Sequence, residues 1–206
     1  MKGIFITFEG SEGSGKSTQI EMIKRFLKKK GKKVLFVREP GGVKISEKIR
    51  RILLDVTNKS MGAECETLLY MAARAQLVEE MIKPALKKGK IVLCDRFLDS
   101  TIAYQGYGCG VDIKHIKTVG IFATQGILPD LTIVFDIPAQ KGLSRIQRTK
   151  DRIERRDIAY HNKVRIGYLR IARKEPQRVK VIKVNKDKEA IHRIVQKEIN
   201  RILKIT

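Results

Sequence analysis

Tryptophan is absent from these 206 residues, and aromatic side chains make up only 6%. The stacking platforms on which single-strand binders lay successive bases are therefore not evident. Cysteine is scarce too. Cys65, Cys94 and Cys109 form an odd set with no C-x-x-C pair, which argues against a disulfide framework or zinc site and fits reduced thiols in a cytoplasmic protein. No run of ~18 apolar residues occurs, so no segment is expected to span a membrane. Met1 leads straight into a strand-like run without a secretory leader. Acidic residues are few, 22 Asp+Glu against 44 Lys+Arg, for a net charge of +22. Such a balance suits a nucleic-acid surface, or a lysine-rich chain with a basic pocket for phosphorylated substrates. The lysines are scattered over 24–33, 83–90 and 174–204. Basic charge alone is a weak signal, so the second reading is preferred.

Five short apolar runs have strand character: Ile4–Phe8, Val34–Val37, Ile91–Cys94, Leu131–Ile137 and Val179–Val184. The first four are nearly continuous, as in strands buried on both faces of a parallel sheet. The fifth alternates Val-Lys-Val-Ile-Lys-Val and is expected at an edge. Helical patterns lie between them, at about 16–30, 43–55, 64–88, 112–124, 139–147, 155–174 and 187–203. Alternating strands and helices predict a doubly wound α/β sheet. No internal repeat or linker interrupts it, so one domain over 1–206 is expected. In the long helix, Leu68, Met71, Ala75, Val78 and Ile82 form a predicted core stripe. A second face carries Tyr70, Arg74, Leu77 and Met81. Tyr70 and Arg74, four apart, are neighbours; taken alone, they suggest packing with Arg74 reaching out to solvent.

The stretch "FEGSEGSGKST", residues 8–18, contains G-x-x-x-x-G-K-[ST] from Gly10 to Ser17. It follows a strand and opens a helix, the context a phosphate-binding loop requires. Gly10, Ser11, Glu12, Gly13, Ser14 and Gly15 would cradle phosphates with backbone N–H groups, and the helix N-terminus at Lys16, Ser17 and Thr18 adds its dipole. Lys16 would reach the β and γ phosphates, and the Ser17 hydroxyl can hold Mg²⁺. The pattern arises by chance in about one sequence in a hundred of this length, and its context makes chance rarer still. Asp95, ending a buried strand in "IVLCDR", is the predicted acidic partner for the metal. Asp136, ending "LTIVFD", is a lower-ranked rival. The cluster "RIQRTKDRIERR", residues 145–156, holds six basic and two acidic residues. Such a run is usually a solvated face. Here it lies where small nucleotide kinases carry a mobile lid, and Arg152, Arg155 and Arg156 can supply the cations that phosphoryl transfer needs. The three histidines, His115, His161 and His192, are expected at the surface.

With these residues in place the chain resembles the thymidylate kinase (dTMP kinase) family over nearly its whole length. Besides the phosphate loop, "REPGG" (38–42), "DRFLDSTIAYQG" (95–106) and "DRIERRDIAYHNKVRIGYL" (151–169) carry the likeness, in order. The resemblance implies the P-loop nucleoside-monophosphate kinase fold, with five parallel strands flanked by helices and a lid at about 145–157. It implies ATP and Mg²⁺ as cofactors, dTMP as acceptor and a homodimer. It also implies residue roles. Arg96 would bind the acceptor phosphate and Tyr70 would stack on thymine. Arg74, Thr101 and Gln105 would face the base, and Tyr104 would lie against the sugar. Glu12 would accept from the 3′-hydroxyl, Arg50 would sit near the acceptor, and Arg38 would hold the site together. Gly13 marks a subgroup with catalytic arginines on the lid. Val43, Lys44, Ser46 and "VNKD" (184–187) depart from the family pattern.

Two other readings compete. A uridylate, cytidylate or guanylate kinase could share the fold, but "AYQG" and the Tyr70/Arg74 pair speak against it. A nucleic-acid-dependent P-loop ATPase or switch would need a switch segment or a basic stripe interleaved with aromatics, and neither is found.

Overall fold

The computed structural model describes residues 3–204. Strands β1 (Ile4–Gly10), β2 (Val34–Arg38), β3 (Ile91–Asp95), β4 (Leu131–Asp136) and β5 (Val179–Lys183) form one all-parallel sheet in the order β2-β3-β1-β4-β5. Successive side chains along a strand point to opposite faces, and the core divides accordingly. On one face Ile6, Phe8, Leu93, Ile133 and Phe135 meet Ile20, Ile23 and Leu27 of helix α1 (Lys16–Lys29). These helix positions, three and four apart, are fully buried. Each such side chain stabilises the fold by about 1.5–3 kcal/mol.

The other face is covered by more elements. They begin with α2 (Lys44–Leu54) and α3 (Ala63–Leu77), the latter running through a π-helical turn, Val78–Ile82, into α4 (Lys83–Lys87). Next come α5 (Leu98–Thr101), which continues as a π-helix over Ile102–Gly108, then α6 (Ile113–Thr124), α7 (Ala139–Leu143) and α8 (Ile158–Lys174). Finally α9 (Lys188–Leu203) returns to the α1 side, where its Ile191, Val195 and Ile199 join the first cluster.

The sheet places β5 at an edge, as its alternation predicts. It also places β2 at the opposite edge, where only Val37 is fully buried. Apolar content had assigned β2 to the interior; strand order is set by the crossovers, which composition does not encode. The helix expected over 139–147 ends at Leu143, and the one expected from 155 starts only at Ile158, where the Asp157 side chain accepts from the Tyr160 N–H at 2.6 Å. Residues 98–108 had no helical expectation at all. Their β-branched residues and glycines conceal a helix that is held by burial.

The predicted stripe of the long helix is buried at Met71, Val78 and Ile82, but it fails at Leu68 and the buried face is wider than expected. Leu68 is 57% exposed, whereas Arg74 and Leu77 of the second face are 1% and 0% exposed. Arg74 does not reach solvent. The parallel registers align Phe8 with Asp95 and Asp95 with Arg38, so the carboxyl ends of β1, β2 and β3 stand side by side. In an open α/β sheet that is where ligands bind.

Candidate active site

A cleft of about 370 Å³ opens there. The phosphate loop forms its floor through Glu12, Gly13, Lys16 and Ser17; Arg38, Asp95 and Arg96 come from the strand ends. Tyr70, Arg74, Thr101, Tyr104 and Gln105 make the far wall, and Arg148, Asp151, Ile153 and Glu154 close the rim.

The loop's shape follows from its glycines. Gly10, Gly13 and Gly15 all have positive φ, which costs glycine little and other residues much. Gly13 has a second constraint: a Cβ there would lie 2.0 Å from the Gly142 carbonyl oxygen of α7. No side chain fits at position 13 while α7 stays in place. Lys16 curls into the loop. Its Nζ donates to Gly10 O at 2.9 Å, Ser11 O at 3.0 Å and Ser14 Oγ at 3.3 Å. Burial, with Arg96 adding repulsion, brings its pKa down to about 8.

Arg96 adopts a left-handed backbone, φ 69°, which is uncommon for a non-glycine residue and is a frequent mark of functional sites. Its N–H donates to Phe8 O at 3.0 Å, and the Phe97 N–H donates to Glu9 Oε1 at 2.7 Å. Those bonds hold the turn. Glu9, fully buried, also accepts from the Ser100 hydroxyl at 2.5 Å and the Tyr168 hydroxyl at 3.0 Å. Burial, with Asp99 adding to it, raises its pKa to about 7. The Arg96 guanidinium donates to Gly10 O at 3.0 Å, Tyr168 OH at 3.1 Å and Glu12 Oε1 at 3.0 Å. Sequence reasoning missed Glu9; its place one residue before the loop was the only available signal.

Glu12 Oε1 accepts from both Arg96 and the Tyr104 hydroxyl, while Oε2 is buried without a hydrogen-bond partner. Burial opposes its ionisation, but His161, Arg96 and Lys16 outweigh burial and hold its pKa down to about 2. His161 corrects an expectation. It is 1% exposed, with Nδ1 3.5 Å from Glu12 Oε2. The helix containing it packs its inner face on the π-helix of residues 102–108, a contact that the sequence could not place. His115 is exposed and His192 half-buried.

On the far wall Arg74 Nε donates to Glu39 Oε2 at 2.8 Å, Nη1 to Met71 Sδ at 3.1 Å and Nη2 to Thr101 Oγ1 at 3.0 Å. A guanidinium has five N–H groups, so one on each terminal nitrogen remains for a ligand. Tyr70 stands half-buried beside it. Arg38 binds Glu47 at 2.9 Å, and Arg50 donates to Pro40 O at 2.8 Å, the two arginines flanking the loop after β2.

The metal candidates separate clearly. Asp136 is held by Arg165 through two hydrogen bonds, 2.6 and 3.0 Å, outside the cleft. Asp95 lines the cleft with Ser17, and its Oδ1 is buried without a partner. Among the described residues no group of three or more His, Cys, Asp or Glu is arranged to hold a metal. One carboxylate and one hydroxyl suit Mg²⁺, which keeps waters and draws further oxygens from substrate phosphates.

The three lid arginines singled out from the sequence do not line the cleft. Arg152 and Arg156 reach Glu66 Oε2 at 2.6 and 2.7 Å. Arg155 is exposed, its Nε donating to Lys150 O at 3.0 Å. Arg148, not singled out, does line the cleft and pairs with Glu154 at 2.6 and 2.9 Å.

The family model described as thymidylate kinase matches residues 8–195. A thymidylate kinase of Halothermothrix orenii is 49% identical over 98% of this chain and 99% of its own length. One from Bacillus velezensis is 44% identical over 99% and 98%. The crystal structure of thymidylate kinase from Ehrlichia chaffeensis superposes with a TM-score of 0.79 at 34% identity, covering 97% of this chain and 99% of that one.

Proposed function

The chain belongs to the thymidylate kinase family, and from that premise we propose how its cleft carries out the family's reaction. The activity is transfer of the γ-phosphoryl group of ATP to dTMP, giving dTDP and ADP. The observation that carries the residue assignment is a single cleft that holds the phosphate loop on one side and the Tyr70–Arg74 wall on the other.

The ATP phosphates lie on the amides of Gly13 to Thr18, with Lys16 turning from its own loop carbonyls to the β and γ oxygens. Arg96, fixed by Glu12 and Gly10, binds the acceptor phosphate. Tyr70 stacks on thymine, and the free N–H groups of Arg74 donate to its carbonyl edge. Thr101 and Gln105 complete the base contact. Tyr104 lies against the sugar, and the unpartnered Oε2 of Glu12 accepts from the 3′-hydroxyl. Arg38 and Arg50 border the acceptor side. Ser17 and Asp95 would hold Mg²⁺, which supplies neutralising charge to the β and γ phosphates. The attacking atom is a phosphate oxygen, ionised at neutral pH, so no general base is needed. Positioning and charge neutralisation supply the catalysis.

The test is a coupled assay of ADP formation with ATP–Mg²⁺ and each monophosphate in turn. The expected order is dTMP, then dUMP, with dCMP, UMP and GMP near background. The methyl that separates dTMP from dUMP is worth only about 1–3 kcal/mol in a pocket. A faster rate with UMP or GMP would reassign Tyr70, Arg74 and Tyr104.

The lid at about 145–157 carries the remaining cations, Arg148 at the rim with Arg152, Arg155 and Arg156 behind it. Arg152→Ala should lower kcat with a smaller change in the KM for ATP, because it loosens the rim that places Arg148, whose cation meets charge that develops in the transition state. Steady-state kinetics decide it; a normal kcat with a raised KM would make Arg152 a ground-state binder.

A homodimer is supported by exposed Leu68 on α3 and exposed Ile121 and Phe122 on α6. The unpaired state of all three cysteines fits a cytoplasmic location. No described helix is long and apolar enough to cross a membrane. The +22 charge is expected to bind DNA only weakly and only at low salt, through counterion release. Titration with duplex and single-stranded DNA at physiological salt checks this, and tight, sequence-dependent binding there would contradict it.

A further inference from the structure

Glu66 is fully buried, with no exposed side-chain surface, yet it was not among the residues the motifs pointed to. It sits on the fourth residue of α3, one and two helical turns before Tyr70 and Arg74. Its Oε1 accepts from Gln105 Nε2 at 2.8 Å. Its Oε2 meets Arg152 Nη2 at 2.6 Å and Arg156 Nη2 at 2.7 Å. Two segments distant in sequence therefore converge on one carboxylate: the lid and the π-helix that presents Tyr104 and Gln105.

The seats around it are built. Arg152 also donates through Nε to Leu53 O at 2.8 Å, and its backbone N–H donates to Leu54 O, so the lid is tied to the end of α2 as well. Arg156 donates to Cys109 Sγ and lies 4.5 Å from the Tyr160 ring centroid. Between these two arginines Ile153 and Glu154 are buried at the cleft rim, and Glu154 in turn orients Arg148.

We propose that Glu66 is a positioning residue: the docking point that holds the lid over the cleft through Arg152 and Arg156 and ties the docked lid, through Gln105, to the wall that receives the acceptor base. Arg152 and Arg156 act on transfer by keeping Arg148 and the rim in place, and removing Glu66 releases them together. The assignment rests on the reading of the cleft given above only for its kinetic consequence. The docking itself is a property of the protein without substrates.

The experiment compares wild type and Glu66→Gln, which keeps the shape and an acceptor for Gln105 while removing the charge. Amide hydrogen exchange is measured without nucleotides. Residues 145–157 should exchange about tenfold faster or more in the variant, while β1, β3 and β4 exchange as in wild type. In the ATP–dTMP assay kcat should fall at least about tenfold, with the KM for dTMP changed much less. Unchanged lid exchange overturns the proposal. So does a raised kcat with a protected lid, which would make Glu66 a trap that withholds the arginines. Faster lid exchange in the variant, together with no dTMP-dependent rate in wild type, would leave the docking intact and overturn the acceptor assignment instead. Should Glu66→Gln loosen the core strands too, Arg156→Gln takes its place, since the Arg156 side chain is 24% exposed and lies outside the core. Faster lid exchange with a protected core then supports the docking point, and unchanged lid exchange refutes it.

Discussion

Lys16→Ala is expected to reduce phosphoryl transfer by about 10²–10³-fold, the scale set by loss of one preorganised charge from a transition state. The fold should survive. Lys16 is buried, but its three bonds all go to its own loop, Gly10 O, Ser11 O and Ser14 Oγ, so its loss leaves the sheet untouched. A kcat/KM within tenfold of wild type, about 1.4 kcal/mol, would refute the role.

The lowered pKa gives an independent check. With its pKa near 8, Lys16 is mostly neutral at pH 9. The negative charge of ATP favours the ammonium and raises that value. Binding at pH 9 should therefore take up close to one proton, and at pH 6.5, where Lys16 is already charged, it should draw none. Titration calorimetry in two buffers of different ionisation enthalpy reads the number. Lys16→Ala should abolish the uptake at pH 9.

Arg74→Leu is expected to be costly to both stability and selectivity. Arg74 and Glu39 are paired with only 2% and 4% of their side chains exposed. Removing one member of a buried pair costs about 3–5 kcal/mol, because the other stays buried and uncompensated. The pH dependence follows from Glu39. Burial, against the pull of Arg74, already raises its folded pKa to about 7, above the ordinary 4.5. A carboxyl raised in this way favours the folded state most below about pH 4.5, and that advantage is lost as pH climbs through the folded value. Without Arg74 the folded value rises further. The stability deficit should therefore be largest above pH 7 and shrink toward pH 4.5, where Glu39 is protonated folded or unfolded. Denaturant unfolding at pH 5 and pH 8 measures it, and equal deficits would exclude the mechanism.

Selectivity should narrow as well. In the proposed base contact the free Arg74 N–H groups would face an acceptor in thymine but a donor in cytosine, and a buried unpaired donor costs about 1–3 kcal/mol. The ratio of kcat/KM for dTMP over dCMP should drop about tenfold or more. A ratio that survives the substitution would move base discrimination to Thr101 or Gln105.

The sheet and the phosphate loop were legible because both are local. Each β run is short and apolar between polar turns, and a Gly-Lys-Ser turn carries the groups suited to phosphates, its backbone amides, within its own residues. Asp95 was also legible, since the residue after a buried strand of this sheet must stand at the ligand edge. Its rival Asp136 occupies an equivalent position, and only Arg165, on a helix 29 residues away, removes it from contention. The stripe of the long helix was right at Met71, Val78 and Ile82, but Leu68 looked like core and Arg74 like surface, because helical periodicity gives the spacing of a face but not its width.

What the sequence by itself determined is the set of strands, the phosphate-loop motif, the family and most of the residues that gather at the cleft, though not Glu39, Arg148 or Glu154. The tertiary structure alone decided where β2 lies, how far around α3 the buried face extends, and what each charged group holds. The pairings Glu39–Arg74, Glu12–His161 and Glu66 with Arg152 and Arg156 span from 35 to 149 residues. The physical reason is burial. A charged side chain in water needs no particular partner, and nothing in its local sequence names one. Once the sheet crossovers bring it inside, it must find an opposite charge or lose its own, and only the packed fold determines which residue is within reach.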